Sequence, residues 1–461
     1  MNKQVKIMGE SESTIHYEPA TNKKILLYSS PRFGISIFMG LIDMALLFLY
    51  YDVYNLDPEL VGTGLMLGKF SIAIFQFFMG WLSDHTRTRL GRRKPYIIIL
   101  TPILAASFIL LLIPGIFLGS TPSEHNLFIW FCVFNCLAQG AYSVTTVYQS
   151  WTAEQFSVDQ RPKVSQYQNL MNFVGTAIVV LFSMLILTNI EDEFVANPGK
   201  IPSVYLVSII IFTSIMFLFN FLIVMKIPKE TTPEYKTKML DDLKTILKNK
   251  NMILVCLMQG ICSFTWAMSQ GILLSYTENV LKITDTQYII VAVAMILTMI
   301  GALFLWRKIM AKVGKKKTLL SIFLMAIVTL PLSLLGYFEF STTILFGLPY
   351  IILLAISLGG WYLFPYIMYA DLAEDDQKET GQLKAGIYAG FPSILLNIFQ
   401  AFSLKFTTWI LSLDQLVQNA PNTQYFNVGL LLWGPIGAII LVISLIYAKI
   451  FIKLDFEWEK N

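Results

Sequence analysis

Asp43 and Lys69 are the residues of this chain best placed to do chemistry, because each stands alone inside a run of apolar residues long enough to cross a bilayer. A charge in a hydrocarbon core is expensive, and it is ordinarily paired or turned toward a polar cavity. Asp43 lies about eleven residues from one end of its run, and Lys69 about nine from the same end of the next. At 1.5 Å per residue both therefore sit roughly 15 Å deep and can meet. Two roles fit them: a structural ion pair between neighbouring helices, or a pair that titrates and orients a substrate.

A second set of polar residues sits on otherwise apolar runs: Gln149 with Asn135 and Gln139, Trp266 with Gln259 and Ser263, Trp361 with Tyr362, and Asn397 with Gln400. Amides both donate to and accept from hydroxyls, and an aromatic face covers the apolar side of a pyranose. The mixture suits a sugar site, although interhelical hydrogen bonding accounts for any one member equally well. Catalytic patterns are missing: the three histidines, at 16, 85 and 125, fall outside the apolar runs, and neither HExxH nor GxSxG occurs. The stretch around Gly68 and Lys69 resembles a phosphate loop only superficially, since no Ser or Thr follows the lysine. An enzyme, a cofactor and a resident metal are not expected. Cys132, Cys136, Cys256 and Cys262 also lie inside apolar runs, with no His or carboxylate beside them, and act as small hydrophobes.

The elements that must position these residues follow from composition. Of 461 residues 55% are hydrophobic and only 14% charged, with a mean hydropathy of +0.62, too apolar for a chain surrounded by water. Windows of about twenty apolar residues predict an all-α integral membrane protein of twelve helices, over 33–54, 60–82, 96–118, 127–149, 170–190, 204–227, 252–276, 288–306, 318–335, 343–368, 385–411 and 426–451. Lys and Arg fall in alternate connections, whereas the other side has only Lys200 and Lys282 and carries Glu191, Asp192 and Glu193. Membrane proteins keep such cations inside, so both termini are expected in the cytoplasm and the lipid bilayer is the principal partner. The net charge of +4 is this inside bias, not a nucleic-acid footprint. No signal peptide is visible, and the absence of any Asn-x-Ser/Thr sequon points to a prokaryotic cell membrane.

The long polar segment near 228–251 divides the chain into an N-terminal tail (1–32), a six-helix half (33–227), a cytoplasmic linker, a second six-helix half (252–451) and a short C-terminal tail (452–461). Met239, Leu240, Leu243, Ile246 and Leu247 fall at helical spacing in the linker, so either a short amphipathic helix or a solvated connection fits it. The loop Gly80 to Pro95, with five cations between Arg87 and Lys94, is echoed by Arg307 to Lys317, with Gly314 matching Gly91. Six-helix halves with corresponding loops are what a duplication leaves, and such halves can rock about a central site.

Three stretches carry a family resemblance: Gly80 to Pro95; Tyr148 to Glu154 with Asp159-Gln-Arg161; and Pro365, Ala370-Asp371-Leu-Ala-Glu374-Asp375-Asp376 and Glu379-Thr380-Gly381. With them the chain resembles the major facilitator superfamily, and within it the glycoside-pentoside-hexuronide cation symporters. The resemblance implies two pseudo-symmetric six-helix halves, alternating access, a small-molecule substrate of the sugar or glycoside class, a coupling cation and a monomer. It also implies an inner gate in which Asp84, ending helix two, faces the start of helix eleven, and Arg87, Arg89, Arg92 and Arg93 meet Asp371, Glu374, Asp375 and Asp376. The other reading of these residues is a set of charges solvated at the inner surface.

The departures from the family matter as much. Aligned on Leu60 to Thr63 and Gly80-Trp81, the two helix-two aspartates that bind the family's coupling cation fall on Ile72 and Gln76. Its helix-one aspartate falls on Ser36, its helix-four aspartate on Thr146 and its helix-eleven lysine on Asn397. The substrate site expected here therefore comprises Ser36, Asp43, Lys69, Gln76, Thr146, Gln149, Trp266, Trp361, Asn397 and Gln400. Coupling is expected to use a proton at Asp43 in place of sodium. An uncoupled facilitator and a carrier of an amphiphile such as a lysolipid remain open, while short tails argue against a transporter-fold sensor.

Overall fold

A computed structural model describes residues 21–119, 122–156, 160–187, 190, 201–229, 244, 247–283, 286–380, 385–413, 415–418 and 425–454. Twelve helices among these residues are long and apolar enough to span a membrane. They are α1 (Asn22–Val53), α2 (Pro58–Ser83), α3 (Lys94–Leu112), α4 (Glu124–Thr152), α5 (Tyr167–Leu187), α6 (Ser203–Lys226), α7 (Lys250–Asn279), α8 (Gln287–Val313), α9 (Lys315–Tyr337), α10 (Ile344–Tyr369), α11 (Phe391–Leu411) and α12 (Gly429–Phe451).

Their ends follow local chemistry. Pro58 fills the first position of α2, where a missing N–H is harmless, and Asp57 caps it by accepting from the backbone N–H groups of Glu59 (2.8 Å) and Leu60 (3.3 Å). Ser123 and Asn249 cap α4 and α7 in the same way. α1 begins at Asn22, not at Phe33 as expected, because Thr21 caps a polar first turn that a hydropathy window passes over. The helix containing α10 continues to Thr380, so Asp371, Glu374 and Asp375 lie on helix, not on a loop. Between α11 and α12 a two-stranded antiparallel hairpin forms, β1 (Leu416–Gln418) with β2 (Tyr425–Asn427), which hydropathy did not foretell. The amphipathic linker segment expected around 239–247 falls largely outside the described residues.

Packing confirms the internal repeat pair by pair. In the first half α1 packs on α5 and α6, α2 on α4, and α3 on α4 and α6; in the second half the same pairs recur six helices on, α7 with α11 and α12, α8 with α10, and α9 with α10 and α12. Across the halves α2 lies along α11, α5 meets α8, and α1 meets α7, the pairing an approximate two-fold axis requires. The two basic loops repeat in detail, since Gly91 (φ 98°) and Gly314 (φ 88°) both take a backbone conformation open mainly to glycine. α1 and α7 are the inner helices, 78% and 72% buried across their apolar windows. Outer helices turn apolar rows outward, as with Ile439, Ile443, Ile446 and Ile450 on α12.

Candidate functional site

The two intramembrane charges meet. Lys69 Nζ donates to Asp43 Oδ1 at 2.6 Å; the lysine is 2% exposed and the aspartate 28%. The turn of α1 that carries Asp43 packs against α7 of the other half. Asp43 sits in a π-helical turn, Leu41–Ala45, and Asp52 in a second, Leu49–Val53. A π turn adds a residue to the helical repeat and is found frequently at functional sites.

Lys69 is placed by α4. A Cβ at Gly68 would lie 2.1 Å from Gln139 Nε2 and 2.4 Å from Asn135 Nδ2, so the glycine permits a close approach of α2 and α4. Asn135 Nδ2 donates to Gly64 O (2.8 Å) and Gln139 Nε2 to Asn135 Oδ1 (2.7 Å). Asn135 thus binds α4 to α2, the interhelical role weighed for it above, and Gln139 supports it from the next turn of α4.

The remaining expected substrate residues separate into two groups. Ser36 is buried; its Oγ donates to Phe33 O at 2.9 Å and packs on α5 where a Cβ at Gly175 would lie 1.9 Å away. Asn397 is buried and donates to Ser393 O of its own helix at 2.7 Å. Trp266 and Trp361 are 3% and 5% exposed, and the Trp361 ring centroid lies 6.0 Å from that of Phe323. In this conformation these four side chains serve packing and do not line an open surface, because an apolar helix must hide or self-satisfy its polar atoms. Gln76 and Gln400 are partly exposed, Thr146 faces α2 at Gly80, 3.1 Å from the position a Cβ would take, and Gln149 is exposed. Gln270 Nε2 donates to Tyr362 Oη at 2.6 Å, joining α7 to the exposed Tyr362 of α10. Arg32 was missed altogether: it lies ahead of the predicted start of α1, and the only signal was a cation close beside an apolar run.

At the face carrying the basic loops, Arg93 is buried and donates from Nη1 to Ser83 Oγ at 2.5 Å. Asp371 accepts from Lys315 Nζ at 2.7 Å, an ion pair inside the second half. The turn at Gly314 delivers Lys315 to the extended end of α10. Arg87 and Arg89 are exposed and Arg92 and Asp375 half-buried, whereas the side chains of Asp84 and Glu374 fall outside the described residues.

The opposite face is where described hydrogen bonds join the halves. Lys405 Nζ donates to Glu59 O (2.6 Å) and Thr63 Oγ1 (2.9 Å), and Ser275 Oγ donates to Asp52 Oδ2 (2.7 Å). Lys405 thus bridges α11 to α2. A Cβ on Gly62 would lie 1.7 Å from Thr408 Oγ1, so α2 and α11 approach there as closely as backbones allow.

Comparisons with known proteins agree with this arrangement. Residues 27–455 match the family model described as MFS/sugar transport protein. The chain is 26% identical over 171 residues to an uncharacterised symporter of Synechocystis, covering 36% of this chain and 31% of that protein. It is 31% identical over 84 residues to the isoprimeverose transporter of Lactiplantibacillus pentosus (18% of each). It is 28% identical over 130 residues to the sodium-dependent lysophosphatidylcholine symporter 1 of mouse (28% of this chain, 24% of that protein). The matches thus span less than a third of these relatives. Among solved structures, a bacterial homologue of the human lysosomal transporter Spinster, inward-facing and unoccupied, superposes with a TM-score of 0.64 at 13% identity, over 94% of this chain and 98% of that one. A D-xylose–proton symporter gives 0.61 at 14% identity, over 93% and 97%. Identities this low establish the fold alone.

Proposed function

Since the chain belongs to the MFS/sugar transport protein family, a family of membrane transporters and not enzymes, we propose that it carries a sugar or glycoside by alternating access, with a proton and not sodium as the coupling ion. The observation that carries the coupling is the 2.6 Å Asp43–Lys69 pair between α1 and α2, with the lysine buried and the carboxylate 28% exposed. A sodium ion at the same carboxylate would stand about 4 Å from the ammonium, where repulsion is roughly 4 kcal/mol at an effective dielectric constant of about 20. A proton arriving at Asp43 removes the charge that Lys69 holds, so the pair opens without a second cation having to fit. Uptake of a panel of labelled sugars into proteoliposomes, under imposed proton or sodium gradients, tests this. Proton-driven accumulation is expected, and sodium-driven accumulation would refute the assignment. The relationship to the mouse lysophosphatidylcholine symporter favours one second reading, an amphiphile as cargo, and a lysolipid in the same panel tests it.

The basic loops and both termini are assigned to the cytoplasm on the cation bias, which makes this conformation closed outside. A cysteine replacing Lys315 should react with an impermeant maleimide only after the cells are opened; labelling of intact cells would reverse the assignment. The inner gate is assigned to Asp84, Arg87, Arg89, Arg92, Arg93, Asp371, Glu374 and Asp375, whose contacts hold the cytoplasmic end when it closes. The double variant Asp84→Ala, Arg92→Ala should lower turnover at least tenfold while equilibrium substrate binding changes less than threefold. Normal turnover would remove these residues from the gate.

A further inference from the structure

Arg32 is a second cation on the inner wall of the first half. It lies on α1 eleven residues before Asp43, roughly 16 Å nearer the basic face at 1.5 Å per residue. The side chain is half-buried. Its two Nη groups donate to Gln149 Oε1 of α4, Nη1 at 3.2 Å, in the amide orientation that satisfies both residues. Arg32 also neighbours Tyr148, whose hydroxyl donates to Tyr28 O and accepts from Gln168 Nε2 of α5 at 2.9 Å. Among the described residues no carboxylate pairs with Arg32.

The lipid-facing row of α4 is marked by Ile129, Val133 and Leu137, each exposed. Gln149 lies beyond a turn at Tyr142 and Ser143, in the segment Val144–Gln155, and is exposed between the fully buried Tyr148 and Trp151. Arg32, which it meets, stands on α1, one of the two most buried spans, whose part around Arg32 packs on α5 and α6. Asp43 and Lys69 pair with each other, so neither neutralises Arg32. A guanidinium offers five donors in a planar fork, and a neutral amide oxygen engages only part of it. What completes such a fork is a planar or tetrahedral anionic oxygen group.

We propose that Arg32, with Gln149 and Gln168, forms an anion-binding subsite that takes the carboxylate or phosphate group of the transported substrate at the entrance on the basic face. The proposal rests on the transport reading and adds to it the charge of the substrate.

The test uses the full chain in a neutral detergent, with the four native cysteines replaced by alanine and Gln149→Cys introduced. Its modification rate is measured with a sulfonate-bearing and a trimethylammonium-bearing methanethiosulfonate. The anionic reagent should react at least tenfold faster, and adding Arg32→Gln should abolish that preference. Millimolar inorganic phosphate or glucuronate should slow the reaction severalfold while glucose does not. Equal rates, a faster cationic reagent, or a preference that survives Arg32→Gln overturns the subsite. Protection by phosphatidylglycerol nanodiscs but by no soluble anion would assign the group to a lipid headgroup and overturn the assignment to substrate. Thr146→Cys, one turn nearer Asp43, gives the same comparison should Gln149→Cys fail to assemble. These rates do not depend on flux, so an absence of sugar uptake would count against the transport reading and not against the subsite.

Discussion

Asp43→Asn should abolish uphill accumulation while leaving exchange down a gradient, a drop of at least tenfold in the steady-state concentration ratio. Asparagine keeps the shape and the hydrogen bond but can neither take up a proton nor balance Lys69, which is 2% exposed. Removing one partner of a buried pair leaves the other charge uncompensated and typically costs about 3–5 kcal/mol. Lys69→Gln alone should also impair the protein, through the exposed half of the same pair. The double variant Asp43→Asn, Lys69→Gln separates two roles. If the pair serves only structure, the double variant regains most of the accumulation that each single change removes; if Asp43 carries the coupling proton, it regains expression and exchange but no accumulation. Full accumulation by Asp43→Asn alone would exclude Asp43 from coupling.

The second large effect is expected at the seam opposite the basic loops. Gly62→Ala places a Cβ 1.7 Å from Thr408 Oγ1 and 3.2 Å from the Lys405 Cα. Turning the threonine hydroxyl aside does not suffice, because the backbone of α11 is also in the way. Overpacking of this kind costs about 1–3 kcal/mol, and here it is felt chiefly when that face is closed. At 1.4 kcal/mol per tenfold, the population should shift roughly tenfold to a hundredfold toward opening at that face. Lys405→Met should act in the same direction by removing the two hydrogen bonds that tie α11 to Glu59 and Thr63. The readout is the reaction of a cysteine at Leu47, which is buried beneath the seam and close to Gly271 of α7, with an impermeant reagent supplied from that face. Both variants should raise its rate at least tenfold and slow transport. An unchanged rate with normal transport would show that the seam does not govern closure.

The sequence by itself determined the solvent and the scaffold. A bilayer offers no partner for a backbone amide, so each crossing must be a helix of about twenty apolar residues, and all twelve were legible as such. The duplication was legible in the two basic loops, where Gly91 and Gly314 proved to share a positive φ. The depth of Asp43 and Lys69 followed from counting residues, and their meeting from the cost of leaving either charge alone.

The tertiary structure alone decided what each polar side chain does. Gln149 and Asn397 look alike in a hydropathy profile, yet the first is exposed beside Arg32 and the second is buried and bonded to its own helix. Ser36, the neighbour of Asp43 on the same helix, is buried and donates to Phe33 O, and the π turn that holds Asp43 leaves no mark in residue spacing. Asp371 met Lys315, and Lys405 met the start of α2, because contacts between helices depend on which faces the pseudo-symmetric packing brings together. Burial in lipid constrains one helix at a time and is therefore written along the chain, whereas partner choice among polar groups is a property of two helices at once and exists only when they are packed.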